Sequence, residues 1–482
     1  MQAYLLDKKY ILEHIEASAK PICSVCFDSR KVEQDSLFVA VVGTSSDGHD
    51  YIGTAIDAGA TTIVCQSLPS QVRQGVEYIR VEDSNIALGR ICSAFYGNPS
   101  SKLKLVGVTG TNGKTTTATL LYDLFTLLGY KVGLISTVIY RVGTKSIEST
   151  HTTPDSLKLN MLLKEMVDEG CDYCFMEVSS HSLVQHRVEG LRFAGAVFSN
   201  ITHDHLDYHH TFAAYIAAKK MLFDSLDKSA FALINADDRN GSVMVQNCKA
   251  KCYTYSTDSR SDFGCRILET HPEGMLLKVD DVDLCVNFLG RFNASNLLCV
   301  YGTALLLGAE RQEVLEAMSQ LRSVAGRFET IRSNNGITAI VDYAHTPDAL
   351  QNVLDTISEI KFSGKVITVV GCGGNRDATK RPKMARIAVD NSSLAILTSD
   401  NPRFEKPEAI IEDMKSSLDA CSKYLAIVDR TEAIRTAVMM AERGDIILIA
   451  GKGHEPYQEV CGVRHHFDDR EQVREMFENL NK

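Results

Sequence analysis

The stretch LVGVTGTNGKTTTATLLYDLFTLLG, residues 105–129, runs from an apolar segment through a glycine turn into a helical pattern. That order places backbone N–H groups at a helix N-terminus, where they and the helix dipole attract an anion. Gly110, Thr111, Asn112 and Gly113 form the turn, Lys114 can reach terminal phosphates, and Thr115, next to Thr116, offers a hydroxyl to magnesium. The spacing departs from the usual G-x-x-x-x-G-K-[ST]: Val108 stands where the first glycine belongs, and Gly107 comes one position early. A plain strand-to-helix turn has no use for the lysine, so the loop is read as an ATP phosphate site.

Outward from the loop the same grammar repeats. KLKLVGVTG, KVGLIS, YCFMEVS, AGAVFSN and FALINAD are β-rich runs separated by helix-length segments, as are ITAIVDY, KVITVVGCGG, LAILTSDNP and DIILIAGKGH further on. LFVAVVG and TTIVCQ do the same on a smaller scale before it. Such alternation predicts mainly parallel sheets. Turn-rich segments, YGNPSSK (96–102) and SVAGRFETIRSNNG (323–336), punctuate the chain. The expected fold class is α/β in three domains: a smaller N-terminal α/β domain at 1–100, a central P-loop-type domain with a mainly parallel sheet at 101–330, and a Rossmann-like domain at 331–482. Ligands of open α/β sheets sit outside the carboxyl ends of the strands. TNGKTT, EVSSH and NITHDHLDYH follow strands of the middle domain, and DYAHTPD, GGNRD, SDNPR and GKGHE follow strands of the last. Two polar crevices are predicted.

Composition narrows the class. Hydrophobic residues make up 44% and charged residues 23%, ordinary values for a soluble enzyme. The longest apolar stretch, Leu297–Ala309, is too short for a membrane span and reads as a buried helix. The start, MQAYLLDKKYILEHIE, scatters charges among its apolar residues and lacks the core of a secretory signal, so a cytoplasmic location is expected. A formal charge of -10 counts against nucleic-acid binding. Among the 14 cysteines, Cys23/Cys26 and Cys171/Cys174 have half-site zinc spacing, but the two pairs lie far apart. CDYCFMEV alternates like a strand that points its two cysteines to different surroundings, and reduced, mostly buried thiols are expected. A monomer is the expected state.

Magnesium bound to phosphates takes hard oxygen ligands and tolerates an imidazole, which makes Thr115, Glu177 and His205 candidates. Alone, Glu177 reads equally as a helix N-cap acceptor and His205 as a surface histidine. HDHLDYHH lacks the H-E-x-x-H spacing of a zinc protease. In SDNPR, Arg403 suits a bidentate grip on a carboxylate, while Asp400 and Glu455 can accept from an ammonium; together they suit an amino acid. The tetrapeptide by itself reads as a turn with a solvated arginine.

GTNGKTT, HTTPDS, MEVSSHSLVQHRV, NITHDHLDYH, AAKKMLF, GRFNASN, AGRFE, DYAHTPD, GCGGNRD, DNPR and GKGHE occur in one order along the whole chain, which resembles the Mur ligases of peptidoglycan synthesis. The resemblance implies an ATP-dependent amide ligase working through an acyl phosphate. It implies magnesium as cofactor and UDP-N-acetylmuramoyl-L-alanyl-D-glutamate and meso-diaminopimelate as partners. Lys114, Glu177, His205 and Lys219 would be the catalytic set. Helical pattern alone makes Lys219 a solvated lysine; the resemblance makes it an N6-carboxylysine, a carbamate that joins Glu177 and His205 as a metal ligand while Thr115 serves a first magnesium. Asn293, Asn296, Arg327, Asp342 and His345 would hold the rest of ATP. Ser29, Thr152, Thr153, Ser179, Gln185 and Arg187 would meet the UDP-sugar peptide. Arg376, Asp400, Asn401, Arg403, Gly451 and Glu455 would meet the amino acid, and DNPR resembles the diaminopimelate form, whose extra carboxylate calls for a forked cation. Asn375 and Lys406 depart from the family's usual acids, and VVGTSSDGHDY (41–51) matches the uridine segment only loosely. The alternatives are a lysine-adding Mur ligase and, from another class, a P-loop hydrolase acting as a motor or switch.

Overall fold

The computed structural model describes residues 5–17, 21–43, 46–271, 273–360, 362–419 and 421–482, so Met1–Tyr4 of the N-terminal run and Thr44 and Ser45 of the 41–51 segment lie outside the described residues. Contacts divide the chain into two compact units, one of residues 1–264 and 299–314, the other of residues 265–298 and 315–482.

In the first unit, the strand Lys104–Thr109 lies between Gly195–Phe198 and Tyr173–Glu177, parallel to both. Phe231–Asn235 and Lys251–Ser256 extend the sheet on one side, and Val132–Ile135 on the other, all parallel. The central strands are buried almost end to end, as a sheet covered on both faces requires. Because successive strands add on opposite sides of Lys104–Thr109, the connections diverge there and leave a crevice at the carboxyl ends. A smaller sheet orders Ile11–Ile15, Glu77–Val81, Ala60–Cys65, Ser36–Val39 and Ser24–Cys26, with only the first pair antiparallel.

The second unit carries Glu329–Arg332, Thr338–Asp342, Ile446–Ala450, Val366–Cys372, Leu394–Ser399 and Tyr424–Ala426 in that order, antiparallel only at the first pair. All eleven β-rich runs read from the sequence contain strands.

The sequence reading missed the hairpins. Gly274–Val279 and Val282–Val286 pair antiparallel across Asp280 and Asp281, whose φ values are 43° and 68°. Two left-handed residues make the turn twist that suits a two-residue hairpin, but Asp-Asp is not the Asn-Gly signal that advertises one. A second expectation is corrected as well. Cys171 precedes the strand Tyr173–Glu177 rather than lying in it, so strand alternation does not separate it from Cys174, and both thiols pack into one hydrophobic core. No cysteine pair among the described residues is bridged, and eight of the 14 are buried.

Gly107 also has a different role from the one its neighbourhood implies. It lies inside the strand, and a Cβ there would stand 3.0 Å from the Phe193 ring and 3.1 Å from Val178. It is a packing glycine, and the phosphate loop begins at Gly110. Gly107→Val should therefore lower stability by about 1–3 kcal/mol through overpacking. Its KM for ATP in the folded fraction should be unchanged; denaturant midpoints and steady-state kinetics check both halves.

Candidate active site

Three loops meet where the central strands of the first unit end. Gly113, in the left-handed region at φ 85°, starts the helix Lys114–Leu127, and Gly110 has φ 152° with its Cα against Ser199. The neighbouring loop moulds this one. Thr111 N–H donates to the Asn200 carbonyl (2.8 Å), Asn112 N–H to Asn200 Oδ1 (2.9 Å), Thr202 N–H to Thr111 Oγ1 (3.0 Å) and the Ser199 hydroxyl to the Asn112 carbonyl (2.6 Å). Asn200 and Thr202 open the NITHDHLDYH motif, so two of the expected clusters are one structural object. Lys114 donates to the carbonyls of Gly110 (2.8 Å) and Thr111 (2.9 Å) and so is held over the loop.

Lys219 corrects the reading of its helix. It is 1% exposed on Phe212–Asp224, with Nζ donating to the Gly110 carbonyl at 2.7 Å and lying 4.6 Å from the Tyr215 ring centroid. Burial, then the nearby Lys114 ammonium, drive its pKa well below the ordinary lysine value. Desolvating an ammonium costs several kcal/mol, whereas a charged hydrogen bond returns about 1.5–3 kcal/mol. The balance of burial and the Lys114 charge against the weaker pull of Asp204 favours the neutral amine over the ammonium. Tyr215, one turn earlier, bonds Thr111 Oγ1 at 3.1 Å and ties this lysine to the phosphate loop.

Glu177 is 1% exposed and is not a helix cap; its carboxylate accepts from Thr137 N–H (2.7 Å) and Thr137 Oγ1 (3.2 Å). The cap of Ser180–Val184 is Ser179, which accepts from Ser182 N–H. His205, at φ 53°, lies 4.8 Å from the His181 ring centroid, and burial with the neighbouring His205 and His209 pushes the His181 pKa down to about 4.

A polar chain continues from these groups. Arg187 donates to the Thr153 carbonyl (2.8 Å) and to Gln185 Oε1, and Gln185 donates to the Tyr208 hydroxyl (3.1 Å). Thr153 Oγ1 donates to the Glu177 carbonyl (2.8 Å), and the hydroxyls of Thr137 and Thr152 bond at 3.0 Å. Thr152, Thr153, Ser179, Gln185 and Arg187 are thus brought together with Glu177. Ser29 stands apart, half-buried in the short turn Ser29–Lys31 of the smaller sheet's layer. Beside the loop, a cavity of about 380 Å³ is lined by Thr202, His203, Phe212, Asp238 and Arg239.

The second crevice belongs to the second unit. Asp400 and Asn401 follow the strand Leu394–Ser399 and are 7% and 3% exposed. Gly451, at φ 121°, follows Ile446–Ala450, and a Cβ on it would lie 2.5 Å from Asp400 Oδ2. Asn401 Nδ2 donates to Glu455 Oε2 (2.7 Å), while its Oδ1 accepts from Lys452 (3.1 Å). Lys452 is fully buried and also reaches Glu455 at 3.4 Å; the sequence reading missed it, although a lysine one glycine beyond the buried run IILIA stands at the carboxyl end of a strand, where the crevice lies. Burial, then the Asp400 charge, raise the Glu455 pKa. Arg403 is not the solvated turn residue its tetrapeptide implies: Nη1 donates to the Gly374 carbonyl (2.8 Å) and Nε lies 3.7 Å from Glu459. Asn375 adopts φ 52° and accepts from Phe404 N–H, a backbone state that asparagine tolerates. Arg376 is exposed.

In the same unit, Asn293 and Asn296 are buried one turn apart on the helix Arg291–Leu306. Phe328 N–H donates to Asp342 Oδ2 (2.7 Å), the Arg327 guanidinium lies 4.7 Å over the Tyr343 ring, and His345 Nδ1 lies 2.9 Å from the Tyr343 carbonyl. An apolar cavity of about 560 Å³, lined by Leu289, Thr338, Phe362 and Ile446, opens at the opposite ends of these strands and bears none of this chemistry.

A phosphate loop bordered by a buried lysine, in one sheet, and an acid-rich crevice with a forked cation, in another, define an enzyme class that activates with a nucleotide and receives an amino acid. The sequence comparisons agree. The Mur ligase catalytic domain matches residues 21–96, the Mur ligase middle domain residues 108–304, and the Mur ligase glutamate ligase domain residues 326–453. The chain belongs to the Mur ligase family. It is 59% identical over 459 residues, 95% of each chain, to the UDP-N-acetylmuramoyl-L-alanyl-D-glutamate--2,6-diaminopimelate ligase of Bacteroides fragilis. A solved structure of a ligase of that same name aligns with TM-score 0.71 at 33% identity, covering 97% of this chain and 98% of that one. The MurF ligase of Thermotoga maritima in complex with ADP shares the fold at TM-score 0.62 and 19% identity, over 95% and 97% of the two chains.

Glu455 supplies a pH test. Its folded pKa is raised, so the folded state holds the proton more tightly than the unfolded state, and stability from this group falls as pH rises above the ordinary glutamate range. Glu455→Gln should raise Tm at pH 7–8, with the gain shrinking toward pH 4, while amino-acid binding is lost. A gain that grows toward acid pH would contradict the assignment.

Proposed function

We propose that the protein is an ATP-dependent ligase that adds meso-diaminopimelate to UDP-N-acetylmuramoyl-L-alanyl-D-glutamate, a cytosolic step of peptidoglycan precursor synthesis. The observation that carries this reading is that one chain holds both a phosphate loop built around buried Lys219 and, in its second unit, a crevice where Asn401 and Lys452 bond Glu455 and Arg403 is held on the Gly374 carbonyl two residues further along the same loop. No helix among the described residues is long and apolar enough to cross a membrane.

A carboxylate is a poor electrophile. In the proposed reaction the glutamyl carboxylate of the UDP-sugar peptide attacks the γ-phosphorus of ATP, and ADP leaves. The amine of diaminopimelate then attacks the acyl phosphate, forms the amide bond, loses a proton and expels phosphate. The protein's share is positioning and charge neutralisation, because phosphoryl transfer leaves it little covalent work. Gly110–Thr116 cradle the phosphates, with Lys114 supplying positive charge. Thr152, Thr153, Ser179, Gln185 and Arg187 orient the sugar peptide near Glu177, and Ser29 meets its far end. Asn293, Asn296, Arg327, Asp342 and His345 hold the remainder of the nucleotide. Arg403, with Arg376, Asn401 and Gly451, grips the distal carboxylate of the amino acid, while Asp400 and Glu455 hold its ammonium.

Magnesium fits the donor set on one condition. As the free amine or ammonium, Lys219 supplies no anionic ligand, and no group of three or more His, Cys, Asp or Glu among the described residues forms a metal site. A neutral amine adds carbon dioxide to give a carbamate and a proton, and this turns the buried lysine into an oxygen ligand beside Glu177 and His205, with Thr115 at the phosphates. Bound there, magnesium would neutralise charge on the transferred phosphoryl group.

Parallel reactions with ATP, the UDP-sugar peptide and either diaminopimelate or lysine, followed by mass spectrometry, test the function. Diaminopimelate should be used at least about tenfold better, the discrimination expected when a forked cation loses its carboxylate. Equal use of lysine would remove the role of Arg403, and phosphate release at full rate without the sugar peptide would replace a ligase with a hydrolase. Lys219→Ala should abolish synthesis and regain part of it with a short carboxylic acid; normal activity in that variant would sink the carbamate.

A further inference from the structure

Beneath the amino-acid crevice lies an ion pair that the reaction above does not use. Arg430, at the start of the helix Arg430–Met440, and Asp469, at the start of Asp469–Asn479, both have fully buried side chains. The guanidinium is bidentate on the carboxylate, Nε to Oδ1 at 2.7 Å and Nη2 to Oδ2 at 2.8 Å. Two of its other N–H groups go to backbone carbonyls, Nη1 to Ser399 at 3.3 Å and Nη2 to Ala450 at 3.1 Å. Those are the last residues of the strands Leu394–Ser399 and Ile446–Ala450, which are not neighbours in the sheet: Val366–Cys372 runs between them. The next residues in the chain are Asp400 and Gly451.

A long, forked cation is suited to bridging two strand ends separated by a third strand. Between them the backbone has little freedom: a Cβ on Gly371 would stand 2.7 Å from the Thr398 carbonyl and 2.9 Å from Asp400 N. A buried ion pair is a weak source of stability compared with apolar side chains of the same volume, so stability alone does not account for it.

We infer that Arg430, held by Asp469, is a positioning residue for the amino-acid site: it fixes the strand ends that present Asp400–Asn401 and Gly451–Lys452 to the incoming amino acid. This rests on the proposed function of that crevice. The guanidinium touches no substrate; it sets the separation of two loops that must both engage one ligand.

The test is kinetic, on the full-length enzyme. Arg430→Met combined with Asp469→Leu removes both charges together and strands neither, so the double variant should fold with a Tm close to that of the parent. Its KM for diaminopimelate should rise about tenfold or more, the size of effect expected from a small misplacement of positioned groups. Its KM for ATP and for the UDP-sugar peptide should stay within about twofold, inside the reach of ordinary secondary effects. A folded double variant with unchanged KM for diaminopimelate overturns the inference, as does a uniform fall in kcat with all three KM values intact. Arg430→Lys gives a second reading if the double variant does not accumulate: it keeps the cation against Asp469 but loses the fork, and the same selective rise in KM for diaminopimelate is expected. A uniform loss there overturns the inference too. Wild-type protein that makes no product from diaminopimelate would instead refute the functional reading, so the two failures are told apart.

Discussion

The first unit depends on a lysine placed where water cannot reach it. Lys219 Nζ meets the carbonyl of Gly110 inside the bend of the phosphate loop, and no carboxylate forms an ion pair with it among the described residues. Burial, then the nearby Lys114 charge, push its pKa well below the ordinary lysine value, so the helix Phe212–Asp224 presents an amine that loses its proton readily. Tyr215 on the same helix bonds Thr111, and Asn200 and Thr202 from the loop after the strand Gly195–Phe198 bond Asn112 and Thr111. Loop, helix and neighbouring motif are therefore held by one another, with the buried Lys219 amine at their centre.

The second unit solves a related problem with opposite chemistry. Asp400 and Glu455, proposed above to hold an ammonium, are both largely buried. Lys452, between Asn401 and Glu455, supplies a cation beside them. In the first unit desolvation acts on a lone cation; in the second a buried lysine partly offsets the desolvation of a glutamate whose pKa is still raised.

Much of this was legible in the sequence. The strands announced themselves because parallel strands buried on both faces are continuous apolar runs, and the polar clusters were found because each comes directly after such a run. What escaped needed knowledge of depth. AAKKMLF does not say that Lys219 faces inward while Lys220 pairs with Asp224 at the surface. Gly107 looked like a displaced phosphate glycine because the motif cannot reveal Phe193, 86 positions later, lying against it. The Cys171 and Cys174 reading failed by one boundary, since a strand that begins at Tyr173 leaves Cys171 free to turn toward the same core. Arg430 lies in VDRTEAIR, an ordinary helix start, and only the fold brings Ser399, Ala450 and Asp469 around it. The resemblance to a family supplied roles for residues, while the physical reasons for those roles came from burial and hydrogen bonding.

The proposed uptake of carbon dioxide by buried Lys219 has a direct measurement. Purified protein equilibrated with carbon-13 bicarbonate and observed by carbon-13 NMR should show one labelled carbamate carbon per chain, absent from a Lys219→Arg variant, whose guanidinium stays protonated. No bound label in the wild-type protein, or a signal that persists in the variant, would contradict the account.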